Sequence, residues 1–160
     1  MIVVRERTDA DLPAAVAVLR LVHERDGYPV HWQEPADRWL TPDGMRAGWV
    51  AVDDGTLLGH ALVEQDQEWL VLARLFVGPD ARGRGVADQL LDVAEEHARQ
   101  AGRPLRLQVH ESARPAIARY ERRGWTRTGS HEASWFESDG VTRARAISYV
   151  APDHRTAPSS

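Results

Sequence analysis

The sequence predicts a mixed α/β (α+β) domain whose sheet is mostly antiparallel but contains one parallel strand pair, and three observations predict it. First, Trp49 to Val52 and Leu57 to Val63 are apolar runs joined by Asp53-Asp54-Gly55, and a third run, Trp69 to Val77, follows Gln65-Asp66-Gln67. Consecutive runs linked by tight-turn residues make an antiparallel meander. Second, that third run leads through a glycine-rich turn into a helical stretch and then into Leu105 to Val109. A strand–helix–strand order of this kind favours parallel pairing. Third, Trp125 to Trp135 and Val141 to Val150 flank Ser138-Asp139-Gly140, as expected of a terminal hairpin.

Each element has its own local signal. Ile2 to Arg7 reads as a short strand. Thr8-Asp9-Ala10-Asp11 before Leu12-Pro13 supplies cap residues and an early proline for a helix. Leu12, Val16, Leu19 and Val22 recur at spacings of four and three, one apolar helical face running to about Arg25. Pro29, Pro35 and Pro42 keep Asp26 to Asp43 irregular, with room for a short helix around Ala36 to Leu40. Ala87, Leu90, Leu91, Ala94 and Ala98 share one face of a helix that Gly102 and Pro104 end. A last helix starts near Ser112, carries Ala116, Ile117 and Tyr120, and stops at Gly124. The expectation is one domain over residues 1–151 with a disordered tail over 152–160, because 160 residues suit a single core.

Composition removes several kinds of chemistry. The absence of Cys excludes disulfides, thiolate metal sites and a cysteine nucleophile. All twenty basic residues are Arg, so lysine nucleophiles and Schiff bases are excluded too. A net charge of −4 argues against general nucleic-acid affinity. No apolar run reaches the roughly 18 residues that a membrane crossing needs, and the first residues lack a secretion signal, so a cytoplasmic location is expected. His23, Asp26 and His31 match no metal-ligand spacing, and no metal is expected.

Arg82-Gly83-Arg84-Gly85 opens directly into a helix, which aims backbone N–H groups and the positive helix end at one point. Glycines let phosphate oxygens approach the main chain, and arginines add forked donors. An ordinary glycine turn with two solvated arginines fits the local sequence equally well. A dinucleotide-binding G-x-G-x-x-G and the Lys-Ser/Thr end of a nucleotide-triphosphate loop are both missing.

The segment Leu75-Phe76-Val77-Gly78-Pro79-Asp80-Ala81-Arg82-Gly83-Arg84-Gly85-Val86-Ala87, with Leu90-Leu91 after it, resembles the signature of the GNAT superfamily of acyl-CoA-dependent N-acyltransferases. Arg82, Gly85 and Ala87 fill the places of its core, Arg/Gln-x-x-Gly-x-Gly/Ala. Ala116-Ile117-Ala118-Arg119-Tyr120-Glu121-Arg122-Arg123-Gly124-Trp125 is similar to a second family stretch, in the right order and at the right separation. The resemblance covers Ile2 to Val150 and implies about seven strands, about four helices and a central parallel pair that splays apart.

The resemblance also implies an activity: N-acetyl transfer from acetyl-CoA to a primary amine of a small molecule by direct attack. A peptide or protein acceptor and a noncatalytic acyl-CoA-binding module are the alternatives. The pyrophosphate of CoA is expected on the N–H groups of Gly83, Arg84, Gly85, Val86, Ala87 and Asp88, with Arg82 nearby. The pantetheine arm is expected beside Leu75, Phe76 and Val77. Tyr120 takes the place of the family's general acid, protonating the departing thiolate.

Two positions depart from the family pattern. Ala113 stands where many relatives carry an Asn that contacts pantetheine, and Gln108 stands where some carry a catalytic Glu. The general base is therefore sought among His60, Glu64, His110 and Glu111, with the two imidazoles preferred because they titrate nearest neutrality. His60 is expected close to Ala73 across the meander. The acceptor pocket is expected at the loop between the first helices, where Tyr28, His31 and Trp32 would suit a cationic or aromatic amine. No nucleic-acid or membrane partner is expected, and association as a homodimer is left open.

Overall fold

The computed structural model describes residues 1–133 and 145–152. Its sheet runs through β1 (Ile2–Glu6), β2 (Met45–Asp53), β3 (Thr56–Asp66), β4 (Trp69–Val77), β5 (Leu105–His110), β6 (Thr126–Glu132) and β7 (Arg145–Val150). The helices are α1 (Leu12–Asp26), α2 (Ala36–Trp39), α3 (Val86–Ala101) and α4 (Arg114–Arg122). The seven strands lie in the order β1-β2-β3-β4-β5-β7-β6. Every neighbouring pair is antiparallel except β4 with β5.

β2 and β3 exceed their apolar runs because they pair with each other from Met45 opposite Glu64 to Asp53 opposite Thr56. Tertiary pairing overrides the weak strand preference of Arg46-Ala47-Gly48 there. α4 begins at Arg114 rather than Ser112, since Ser112 and Ala113 are held in a turn by His110. The terminal hairpin joins the sheet through its second strand, so that β7 lies between β5 and β6. The turn expected at Ser138-Asp139-Gly140, and the tail beyond Pro152, lie outside the described residues.

Two apolar layers cover the sheet. On one face Ala15, Leu19 and Val22 of α1 meet Leu40, Val50, Leu57 and Phe76. On the other, Val86, Leu90, Leu91, Ala94 and Ala98 of α3 join Tyr120, Trp125 and the strand residues Leu70, Leu72, Leu105 and Tyr149. Burying one Leu side chain of such a stripe contributes about 1.5–3 kcal/mol. No helix among the described residues is long and apolar enough to cross a membrane.

β4 and β5 pair only at Leu70–Leu105 and Val71–Arg106, then separate. β4 also carries an irregularity where its register with β3 shifts between His60 and Leu62, and Arg74 within it has φ +54°. His60 therefore faces Phe76, and Leu62 faces Ala73, which corrects the expected His60–Ala73 proximity. The extra residue of a bulge bends a strand away from its partner, and here it falls where the parallel pair opens.

Candidate active site

The free edge of β4 forms one wall. Gly78 donates its N–H to the carbonyl of Leu58 on β3 at 2.8 Å. Backbone groups alternate sides along a strand, so Phe76 also points its main chain at β3 while Leu75 and Val77 direct theirs to the open edge. Phe76 contributes packing: its ring stacks on His60, with centroids 5.1 Å apart and planes 14° from parallel.

After β4, a 3₁₀ turn at Pro79–Ala81 leads to Gly83 at φ +78° and Gly85 at φ +77°, and α3 starts at Val86. The left-handed conformation is why glycine stands at both positions. A Cβ at either would meet nothing within 4 Å, so the space in front of the helix end is open. The first N–H groups of a helix have no intrahelical partner, and here Val86, Ala87 and Asp88 supply them, with Gln89 the first to bond back, to Gly85. Arg82 pairs with Asp26, and Arg84 with Asp53 at 2.5 Å. These contacts tie the turn to α1 and β2, leaving the backbone as the better-presented anion-binding set. The Asp88 carboxylate is met by Arg123 at 3.2 Å and faces Arg119 at 3.9 Å, which offsets its charge in the first turn.

Tyr120 projects from α4 into the layer under α3, 6% exposed, against Trp125 at 5.5 Å and Tyr149 at 6.0 Å. Burial pushes its hydroxyl pKa well above the ordinary tyrosine range, with the nearby Tyr28 adding to the rise and Arg119 opposing it. Tyr28 belongs to the layer on the other face of the sheet. The Tyr120 side chain has no hydrogen-bond partner among the described residues. It is a protonated donor with its proton uncommitted.

Both imidazoles are committed elsewhere. His60 is fully buried; its Nδ1–H donates to the carbonyl of Arg74 at 2.9 Å, and its Nε2 accepts from Arg7 Nη1 at 2.9 Å. Burial first, then the Arg7 and Arg74 guanidiniums, lower its pKa from 6.5 to about 4. With one nitrogen holding the β4 bulge and the other holding Arg7, His60 has no lone pair for a substrate proton, a correction to the expected base. His110 accepts the backbone N–H of Ser112 on Nδ1 at 3.0 Å, a bond that fixes its proton on Nε2. It lies outside the cleft walls. Glu111 lies outside them as well, whereas Glu64 lines the cleft.

That cleft, about 1060 Å³, opens on the α1 side of the sheet where β4 and β5 diverge. Tyr28, His31 and Gln108 are among the residues that wall it. Trp32 is not. It packs outward under the guanidinium of Arg20 at 4.2 Å, against His23, and donates to Glu34, so its expected acceptor contact is corrected. Asp66 and Arg106 form an ion pair at 2.6 Å across the cleft's end. The sequence reading did not find Arg74 or Trp39. Arg74 had a signal, as the single charge in the apolar run Trp69 to Val77. Trp39 had none, because it reaches the cleft only through the path of the Asp26–Asp43 loop.

A family model described as the acetyltransferase (GNAT) family matches residues 15–125. An acetyltransferase from Agrobacterium fabrum is 36% identical over 78 residues, which cover 49% of this chain and 56% of the relative. A mycothiol acetyltransferase from Geodermatophilus obscurus is 33% identical over 108 residues, covering 62% of this chain and 34% of the relative. The chain thus spans about half the length of one curated relative and a third of the other. Among solved structures, the ribosomal-protein-S18-alanine N-acetyltransferase from Escherichia coli superposes with a TM-score of 0.79 at 23% identity, covering 95% of this chain and 94% of that one. That likeness is one of fold.

Proposed function

The chain belongs to the acetyltransferase (GNAT) family, a family of acyltransferases that use acetyl-CoA, and from that premise we propose that it acetylates the primary amine of a small molecule by direct attack. The observation that carries the reading is a coincidence of three features at one end of the sheet. β4 is unpaired with β5 beyond Val71, the backbone ahead of α3 is open at Gly83 and Gly85, and Tyr120 makes no side-chain hydrogen bond among the described residues; the reading takes these three to serve one site. The proposal takes residues 1–151 as one catalytic domain working in the cytoplasm.

Acetyl-CoA supplies an activated acyl carbon and a thiolate leaving group. The Gly83–Asp88 backbone is suited to its phosphates, and the Leu75 and Val77 main chain to the amides of its pantetheine arm. A main-chain N–H of that edge faces the charge that develops on the thioester oxygen, a role worth a few kcal/mol. The amine nitrogen bonds to the acyl carbon as the carbon–sulfur bond breaks, and Tyr120 gives its proton to the departing sulfur. Glu64, a cleft carboxylate with no ion pair among the described residues, receives the amine proton directly or through water. Relatives and neighbours act on both proteins and small molecules by name. Bulky residues of the Tyr28–Trp39 loop, Tyr28, His31 and Trp39 among them, wall this cleft, which favours a small acceptor.

Calorimetric titration with CoA tests the donor site. Wild type is expected to give heat and Gly85→Glu none, since the new carboxylate would oppose the phosphates and its Cβ would strain the left-handed turn that presents the N–H groups. Equal heats from both proteins overturn the assignment. Thiol release with small amines and with N-terminal peptides tests the acceptor, and efficient turnover confined to peptides overturns the small-molecule reading.

A further inference from the structure

Charge in the acceptor cleft is arranged with two unpaired poles. Of its two arginines, Arg106 is neutralised by Asp66 at 2.6 Å, while Arg74 faces no carboxylate among the described residues. Of its acids, Asp66 is consumed by the same pair and Glu64 is in no ion pair among the described residues. One guanidinium and one carboxylate therefore remain, on adjacent strands of the same wall.

Arg74 is also held in position. Its Nε donates to the carbonyl of Trp39 at 3.1 Å, and its guanidinium carbon lies 4.0 Å over the Trp39 ring. These contacts use the stem and one face and leave the two terminal amino groups, the fork that matches a carboxylate. The backbone beneath is left-handed, at φ +54°, and its carbonyl is fixed by His60. That region is unfavourable for a residue with a Cβ, and such strain gathers at ligand-binding positions. Beside it, the hydroxyl of Tyr28, pushed up to about 12 by burial, stays protonated as a second donor. Arg74 acts on that hydroxyl electrostatically, so the two groups share one corner.

Resting on the acetyl-transfer reading above, we infer that the acceptor is an amino acid: its carboxylate is bound by Arg74 and Tyr28, and its amine is directed to Glu64. Val71 lies opposite Glu64, so Arg74 is three residues, or roughly 10 Å, further along β4. Two long side chains reaching inward from that separation converge on a small zwitterion. A neutral or purely cationic amine would leave the Arg74 fork facing nothing, the situation that makes a polar site selective. A protein N-terminus has no carboxylate on the same residue unless its first side chain is acidic.

The test compares free α- and ω-amino acids with the corresponding amides in a thiol-release assay at fixed acetyl-CoA, first with wild type. The best acceptor is expected to be used about tenfold or more better in kcat/KM as the acid than as the amide. The acid-to-amide ratio should fall toward one in Arg74→Gln and recover in part in Arg74→Lys, while the CoA dissociation constant stays unchanged. Amides used as well as acids by wild type overturn the inference and leave acetyl transfer standing, as does turnover confined to peptides. If CoA gives heat but no amine is turned over, the same acids and amides are titrated into CoA-saturated protein. Binding of acids over amides then supports the carboxylate site, and equal or absent heats overturn it. Absence of both CoA heat and thiol release defeats the underlying reading instead.

Discussion

The two faces of the sheet each bury one titratable ring near the β4–β5 gap, and they treat it in opposite ways. Under α1, His60 has both nitrogens bonded, one to the Arg74 carbonyl and one to Arg7, and is stacked on Phe76. Under α3 and α4, Tyr120 is packed by its ring against Trp125 and Tyr149, and its hydroxyl has no hydrogen-bond partner among the described residues. Burial moves both pKa values toward the neutral form. The consequence differs because hydrogen bonding decides what a neutral ring does next. A saturated imidazole is a fastener, whereas an unsaturated phenol is a donor. Depth of burial and proximity to the gap do not distinguish these roles.

The largest effect expected from this contrast is on stability. His60 has a folded pKa of about 4 against an ordinary value of 6.5, so the unfolded chain takes up a proton that the folded chain refuses. Its contribution is complete above pH 6.5, is lost progressively as pH falls from 6.5 to 4, and is constant below that. At about 1.4 kcal/mol for each tenfold change in proton affinity, the window is worth on the order of 3 kcal/mol. Denaturant unfolding followed across that pH range should show the loss in wild type. His60→Leu, which cannot protonate, should be less stable at pH 7.5 but flatter with pH. If His60 were a base, its replacement would also reshape the pH profile of the rate.

Next in size is the phenol. Tyr120→Phe keeps the ring packing against Trp125 and Tyr149 and deletes only the donor. Turnover should fall by roughly 10²-fold, the lower range for losing a general acid, with CoA affinity retained. Because the pKa of Tyr120 lies above the usual value near 10, wild type should show no alkaline loss of rate from this group up to about that pH. An unchanged rate in Tyr120→Phe would put the two faces on the same footing and return the proton donor to water.

The contrast also shows why part of the site could be read from sequence and part could not. The donor side is contiguous: Arg82 to Asp88 is one turn and one helix start, so its glycines and helix periodicity lie within a short window of residues. Tyr120 is proposed on a second local stretch of the same kind. The meander, the parallel unit and the short helix at Ala36–Trp39 were legible for the same reason. The acceptor side is assembled from the Tyr28–Trp39 loop, β3, β4 and β5, whose mutual placement depends on register. The pairing of Leu62 with Ala73 already points His60 toward Leu75, and the extra residue at Arg74 moves it one further, opposite Phe76 and away from Ala73. That shift turned an apparent base into a bulge clamp. Trp32, expected in the pocket on composition, faces Arg20 because chain direction within an irregular loop has no local signature.

The smallest effect should come from Glu64, and it tests whether the proton acceptor belongs to neither buried ring. Glu64 lines the cleft on β3, opposite Val71, while His60 is enclosed four residues earlier on the same strand. An acceptor amine is largely protonated at neutral pH and must lose a proton before it attacks. With a carboxylate in the cleft, that proton has a nearby destination. With Glu64→Gln, the reaction draws on the fraction of amine already deprotonated in solution. The deficit should therefore be greatest at low pH, about tenfold near pH 7, and should close as pH approaches the acceptor's own pKa. Glutamine preserves size and polarity, so the fold and the CoA dissociation constant should be retained. A deficit that is the same at every pH would mean that Glu64 orients the acceptor without taking its proton. The amine would then lose its proton to a water chain reaching solvent through the open end of the cleft.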